Sequence, residues 1–464
     1  MKSKTQNPKS PSAKSRRPDF CCVACAPKLD KLGFWKLGFW ALGFLLLVSC
    51  IAQPGPVPTP LPPTIALAEP TPTPTVEPDK SPLPQPTVAP VVQILRLWLP
   101  PQFEPTVDTV AGQLLLDQLT KFEDVHPGWR VEVRVKKVAG QGGLINALQT
   151  ALQSAPGLSP DVIALDGPML TTAAPLIQPL TARFTEDELS DFYPFALQAA
   201  RVDDQLLGLP FAADALGLAY SSAVYVTPPL AWVDLNTGTG PLWLPLSDPT
   251  ALVILQQYVA LGGSLADEDG NPAIDPGLLA QVLAYYQFLQ VNNLISAASL
   301  GAASLSETWV AYRESRATSS SALTSAYLAE RERVAATAFT LLPTREGNRL
   351  TFASQWNYAL VAADPARQAV ALELMRWLTA SDKLGEWTMA VGMLPTRGKA
   401  LARWPDADLR AIAGEALTAA QPMPSPSLLN VLGPPITTAV QDVLAGRSSA
   451  EAAANAAAQA IAGR

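Results

Sequence analysis

The sequence predicts an α/β protein of two lobes carried on a long N-terminal extension. Three observations lead there. Strand-like and helix-like stretches alternate from residue 92 onward, the order that builds a parallel sheet through right-handed crossovers. The part after residue 91 is about 370 residues long, beyond the size at which one hydrophobic core stops growing, so two cores are expected. Residues 52–90 carry fourteen prolines, and these separate that part from a basic and then apolar N-terminus.

The elements follow in order. Residues 94–99 are a short apolar strand stopped by Pro100 and Pro101. Residues 110–124 have helical spacing, with Leu114, Leu115, Leu119 and Phe122 on one face, and Pro127-Gly128 breaks the pattern. Val131, Val133 and Val135 alternate with Glu132, Arg134 and Lys136, as in a half-exposed strand. Residues 142–154 are helical again, and residues 161–165 form a buried strand that ends at Asp166-Gly167-Pro168. Ligands bind beyond the carboxyl ends of such strands, which marks residues 98–103 and 166–169 as candidate site segments.

An acidic turn, a short strand and an apolar strand are expected over residues 203–220, then a loop rich in Pro, Gly and Trp over 227–249. Helices are expected at 251–261, 276–292, 306–316 and 325–333. Strands are expected at 335–342 and 355–362. A helix at 366–379, another at 384–391, a loop at 392–397 and an Ala-rich helical tail complete the chain.

Before residue 37 lie nine basic residues opposed only by Asp19 and Asp30. An apolar run then ends in Leu47-Val48-Ser49-Cys50. This resembles a bacterial lipoprotein signal, which implies removal of residues 1–49 and lipidation of Cys50. The other reading is an uncleaved anchor over residues 32–51 with Lys36 snorkelling. The proline tract, residues 50–91 with the Cys, favours extended polyproline II and reads as a semi-rigid tether. Cys21, Cys22 and Cys25 fall in the segment that would be lost, and His126 is the single histidine and lies in a His-Pro-Gly turn, so no multi-histidine metal site is available and no His-based triad is expected. Without the signal, 24 basic and 38 acidic residues remain, a net charge of −14. Such a surface disfavours nucleic acid and has no basic stripe for anionic lipid.

A set of short motifs then falls in a telling order. It runs through Leu97-Trp98, Phe122-Glu123, Pro127-Gly128, Ser159-Pro160-Asp161-Val162-Ile163 and Leu207-Gly208-Leu209-Pro210-Phe211 with Tyr220. It continues through Leu341-Leu342-Pro343-Thr344, Ala362-Ala363-Asp364-Pro365 and Gly392-Met393-Leu394-Pro395-Thr396-Arg397 to Val443-Leu444-Ala445-Gly446-Arg447. In this order the chain resembles the extracellular solute-binding proteins of ABC importers, family 1, which includes the maltose-binding protein. The resemblance implies a two-lobed periplasmic-binding-protein fold of type II-like arrangement, with mixed or parallel sheets flanked by helices and a ligand cleft at the hinge. It implies lobe 1 over 92–212 and 343–378 and lobe 2 over 213–342 and 379–464. It also implies non-catalytic binding of a small polar solute, most often a sugar, delivery to a membrane permease, no cofactor, and a place outside the cytoplasmic membrane. A ligand-sensing lipoprotein that feeds a receptor is the alternative.

Sugar sites need aromatic faces and hydrogen-bonding side chains. Trp98 and Asp166 are candidates as strand ends, and Trp243 as a loop aromatic. The resemblance adds Asp214, Ser321, Trp356 and Asn357, which fall where the family lines its cleft. Trp377 and Trp387, on helices, are expected to be core packing. One departure stands out: the first strand is followed by Leu99-Pro100-Pro101-Gln102-Phe103-Glu104, where the maltose-binding branch carries polar and charged residues. That leaves solutes other than sugars open. A glycosidase would need two carboxylates at a fixed separation, and no phosphate-gripping loop is present.

Overall fold

The computed structural model describes residues 92–237, 240–334 and 336–463. The expected signal, Cys50 and the proline tract lie outside the described residues. Twelve strands are present among those described: β1 (Gln93–Leu99), β2 (Trp129–Val135), β3 (Val162–Asp166), β4 (Arg201–Val202), β5 (Gln205–Leu206), β6 (Leu209–Ser221), β7 (Leu242–Trp243), β8 (Ser319–Leu323), β9 (Thr337–Thr340), β10 (Thr351–Leu360), β11 (Leu394–Pro395) and β12 (Ala420–Pro422). β4 and β5 make a small hairpin, closed by Asp203 and Asp204 at positive φ, the conformation that a two-residue turn needs. The other ten strands share one mixed sheet, in the order β2-β1-β3-β10-β6-β8-β7, with β9 and β11 also paired to β6 and β12 to β10.

The first part of the sheet forms as the alternation predicts. β1 pairs parallel to β2 and β3, and the helices Val110–Val125 and Leu144–Ser154 make the crossovers. Thr109 starts the first of these helices by accepting a hydrogen bond from the Gly112 N–H, an ordinary N-cap. Leu95, Leu97, Trp98 and Leu99 are all buried, because a parallel strand is covered on both faces.

Two long strands then tie the molecule together. β10 runs antiparallel between β3 and β6. Along β6, Leu209, Phe211 and Ala212 belong to a first core, Leu216, Leu218 and Tyr220 to a second, and Ala213, Ala215 and Ala219 to a third. β10 does the same: Tyr358 to Leu360 enter the first core, Phe352 the second and Ala353 the third. Side chains alternate between the faces of a strand, so each strand seals two cores where it passes between them. The helices Pro276–Val291, Pro426–Leu444 and Ala450–Ala462 cover the second core. The helix Ser381–Val391 gives Leu384 and Trp387 to the first.

The structure revises three sequence expectations. Residues 209–221 form one unbroken strand, not a short strand followed by another. Pro210 is accommodated because the pairing with β10 shifts register there, with Trp356 opposite Ala212 and Asn357 opposite Pro210; an irregularity absorbs the missing N–H. The expected loop over residues 227–249 contains a helical turn, Trp232–Leu235, and the strand β7, which pairs parallel with β8. Two-residue strands leave no periodicity to read. β10 begins at Thr351, four residues early, because β12 pairs with its start.

Candidate functional site

The sheet has a break that makes a cavity. On one edge of β10, β3 pairs with Trp356–Leu360 and stops where Asp166 faces Trp356. On the same edge, β12 pairs with Thr351–Ala353 and stops where Pro422 faces Ala353. Neither strand pairs with Ser354 or Gln355. At this gap both neighbouring chains turn away. β3 turns into the helix Gly167–Ala173, and β12 leads through Met423-Pro424 into the helix Pro426–Leu444. A cavity of about 560 Å³ occupies the gap, within the range of small-molecule sites.

One wall is Asp166, Gly167, Pro168, Thr171 and Thr172, the floor is Ser354, Gln355 and Trp356, and the facing wall runs from Pro422 to Ser427 with Leu429. Asp166 caps the first helix, its Oδ1 accepting from the Met169 N–H at 2.8 Å; Oδ2 has no hydrogen-bond partner among the described residues. Burial pushes the Asp166 carboxyl up from its ordinary pKa, and the Met169 N–H only partly offsets this. Trp356 is half-buried. Phe103 meets it edge-on at 5.3 Å, and Phe103 in turn contacts Phe211 and Trp387. The indole is therefore held by an aromatic cluster, while part of its surface remains free. Gln355 is buried, yet its Nε2 has no partner. An unpaired buried donor is costly, and this one lies beside Gly167.

Of the seven residues singled out from sequence, the structure brings Asp166 and Trp356 to this cavity. The other five lie elsewhere. Trp98 is buried in the first core, with Lys136 Nζ 4.8 Å from its ring centroid. Asp214 is buried on β6, accepts from the Ser325 N–H at 2.9 Å and from the Ser325 hydroxyl, and is pushed up to about 6 by burial. Ser321 is buried, and its carbonyl accepts from the Thr308 hydroxyl at 2.8 Å. Asn357 is buried, with its Nδ2 donating to the Leu165 carbonyl at 3.4 Å. Trp243 lies on β7 under the Arg316 guanidinium, beside a separate, open depression that also includes Glu307. Trp377 and Trp387 pack against the first core.

Gln355 and the wall from Pro422 to Leu429 are the site residues that sequence reasoning missed. A lone Gln beside a Trp in an apolar strand was the available signal for the first. The second has none, because it lies in a turn before a helix more than sixty residues away in the chain from Trp356.

A mixed α/β sheet whose two long strands serve more than one core, with a cavity at the break between β3 and β12, defines a two-lobed binding protein. The chain belongs to the bacterial extracellular solute-binding protein family, whose model matches residues 117–411. Solved structures share the fold. They include the cyclic α-maltosyl-1,6-maltose binding protein from Arthrobacter globiformis, with a TM-score of 0.65 and 16% identity over 80% of this chain and 98% of that one. The sugar-binding protein MalE from Xanthomonas citri has a TM-score of 0.63 and 16% identity over 80% and 98%. Maltose-bound MalE3 from T. maritima has a TM-score of 0.59 and 18% identity over 80% and 99%. No curated protein matches the sequence. The family and these neighbours are binding proteins. Among the described residues, no helix is long and apolar enough to cross a membrane.

Proposed function

We propose that this chain is the extracytoplasmic binding subunit of an ABC importer, and that it takes a small polar solute of the carbohydrate class into the cavity at the sheet break. The observation that carries this reading is the pair that lines that cavity: a half-free indole, Trp356, directly opposite the carboxylate of Asp166. An indole supplies the flat apolar face on which a sugar ring stacks, and Asp166 supplies an acceptor for hydroxyls.

In this reading the first lobe gathers around the first core and takes in the helix Ser381–Val391, and the second lobe gathers around the second core. Closure of the lobes would trap the solute, and the closed form would be the one a permease accepts. Lipidation at Cys50 and the proline tether would hold the binder close to that permease and raise its local concentration. No step of this function calls for a catalytic group or a cofactor.

A thermal-shift screen of mono- and oligosaccharides tests it, because a ligand that binds only the native state raises the melting temperature in a concentration-dependent way. Silence across sugars, with a response among amino acids, would refute the carbohydrate class and leave the fold untouched.

A further inference from the structure

Asp166 and Trp356 are direct cross-strand partners at the last rung between β3 and β10. Directly opposed residues of an antiparallel pair put their side chains on the same face, with Cβ atoms about 5 Å apart. The cavity thus presents a carboxylate and an indole side by side. Its remaining lining includes Pro168, Pro422, Met423, Pro424, Pro426 and Leu429, and no Lys, Arg or His. Asp166 is its one charged side chain.

Two helix N-termini also meet this cavity, and such termini can attract anions. Both are already occupied. Asp166 itself caps the first, and Ser425 Oγ accepts from the Leu428 N–H in the second. Each helix also carries a proline in its first turn, which removes one of the N–H groups an anion would use. An anionic solute would therefore meet a carboxylate with no opposing cation.

We propose that the solute is a hydroxylated molecule carrying a protonated amine, of the amino-sugar or amino-polyol class, with Asp166 as its counter-ion and Trp356 beneath it. A carboxylate next to an aromatic face is a cation-binding pair, since both the charge and the ring quadrupole attract the ammonium. The partly desolvated Asp166 gains for its Oδ2 a partner that it lacks among the described residues. This rests on the carbohydrate reading above and narrows it.

The test is calorimetric titration of the folded protein with matched probes: glucose, glucosamine, N-acetylglucosamine, glucuronate and glucose 6-phosphate, together with maltose, maltotriose and the glucosamine dimer and trimer. Each is run on the wild type, Asp166→Asn and Trp356→Ala. Asparagine is as good a helix N-cap as aspartate, so Asp166→Asn removes the charge and keeps the cap; circular dichroism checks the fold. The amine-bearing probes are expected to bind at least tenfold tighter than their neutral and N-acetylated counterparts, and the acidic probes not at all. Asp166→Asn is expected to cost the amines tenfold or more and to cut their preference over the neutral sugars at least threefold. Neutral or acidic probes that bind as tightly as the amines, or amines indifferent to Asp166→Asn, would overturn the inference and leave the carbohydrate reading standing. Binding of none of these probes would overturn both.

Discussion

Asp166 and Trp356 face each other on the final rung of the ladder between β3 and β10. One residue later the two strands part, and the cavity begins. The rung has two roles: it ends the pairing of β3 with β10, and it sets an acidic group and an indole at the mouth of the gap.

The indole should matter for binding and little for folding. Trp356→Ala is expected to weaken solute binding about tenfold or more, the equivalent of ~1.4 kcal/mol, because a stacked aromatic face is lost. Isothermal titration reads the affinity and circular dichroism the fold. A variant with unchanged affinity would remove Trp356 from the site.

Asp214 should make stability depend on pH. It is buried, and its pKa is raised from 3.8 to about 6. For a carboxyl raised on folding, the stabilising contribution is complete below the unfolded value and is lost as pH rises through the folded one. Relative to Asp214→Asn, the wild type should therefore lose stability between pH 4 and pH 7, by on the order of 3 kcal/mol. Urea titrations of both proteins across that range measure the difference; a constant difference would contradict the prediction.

The ion pair of Arg367 and Asp161 should be a strong tie. Arg367 Nε donates to Asp161 Oδ1 at 2.8 Å, its Nη2 donates to the Ile94 carbonyl at 2.6 Å, and the Arg96 N–H donates to Asp161 Oδ2 at 2.7 Å. Asp161 is buried. Arg367→Met leaves that carboxylate uncompensated, with an expected loss of about 3–5 kcal/mol in chemical denaturation.

Gly433 should tolerate no side chain. It lies inside the helix Pro426–Leu444 where that helix crosses the backbone of Pro249 and Thr250, and a Cβ would sit 2.7 Å from Thr250 Cα and closer still to the Pro249 carbonyl oxygen. Alanine would normally strengthen a helix. Here Gly433→Ala is expected to destabilise by about 1–3 kcal/mol through overpacking, with the midpoint of urea unfolding as the readout.

Processing at Cys50 can be tested in cells. Cys50→Ala is expected to abolish labelling by a radiolabelled fatty acid and to leave the protein either soluble or unprocessed. Unchanged membrane attachment with an intact N-terminus would favour the uncleaved anchor.

Much of what surrounds the first core was legible because its strands and helices carry strong periodic patterns. Residues 110–124 read as a helix from the spacing of Leu115, Leu119 and Phe122, and the structure gives Val110–Val125. β7 was not legible, because two residues pairing with Ser319 and Ser320 leave no alternation. Asp166 was found because a parallel strand ends there. Trp98 ends a strand too, but it is buried in the first core. The same local signal thus precedes a cavity in one case and a core in the other.

By itself the sequence determined the class of fold and the order of its longer strands and helices. These depend on local properties: side-chain periodicity, chain stiffness at proline and apolar content. Only the tertiary structure decided where the cavity lies. It exists because β3 and β12, distant in the chain, both pair with β10 and stop short of each other, leaving Ser354 and Gln355 uncovered. Nothing in either segment records where the other one ends, so a gap between them is a property of the assembled sheet alone.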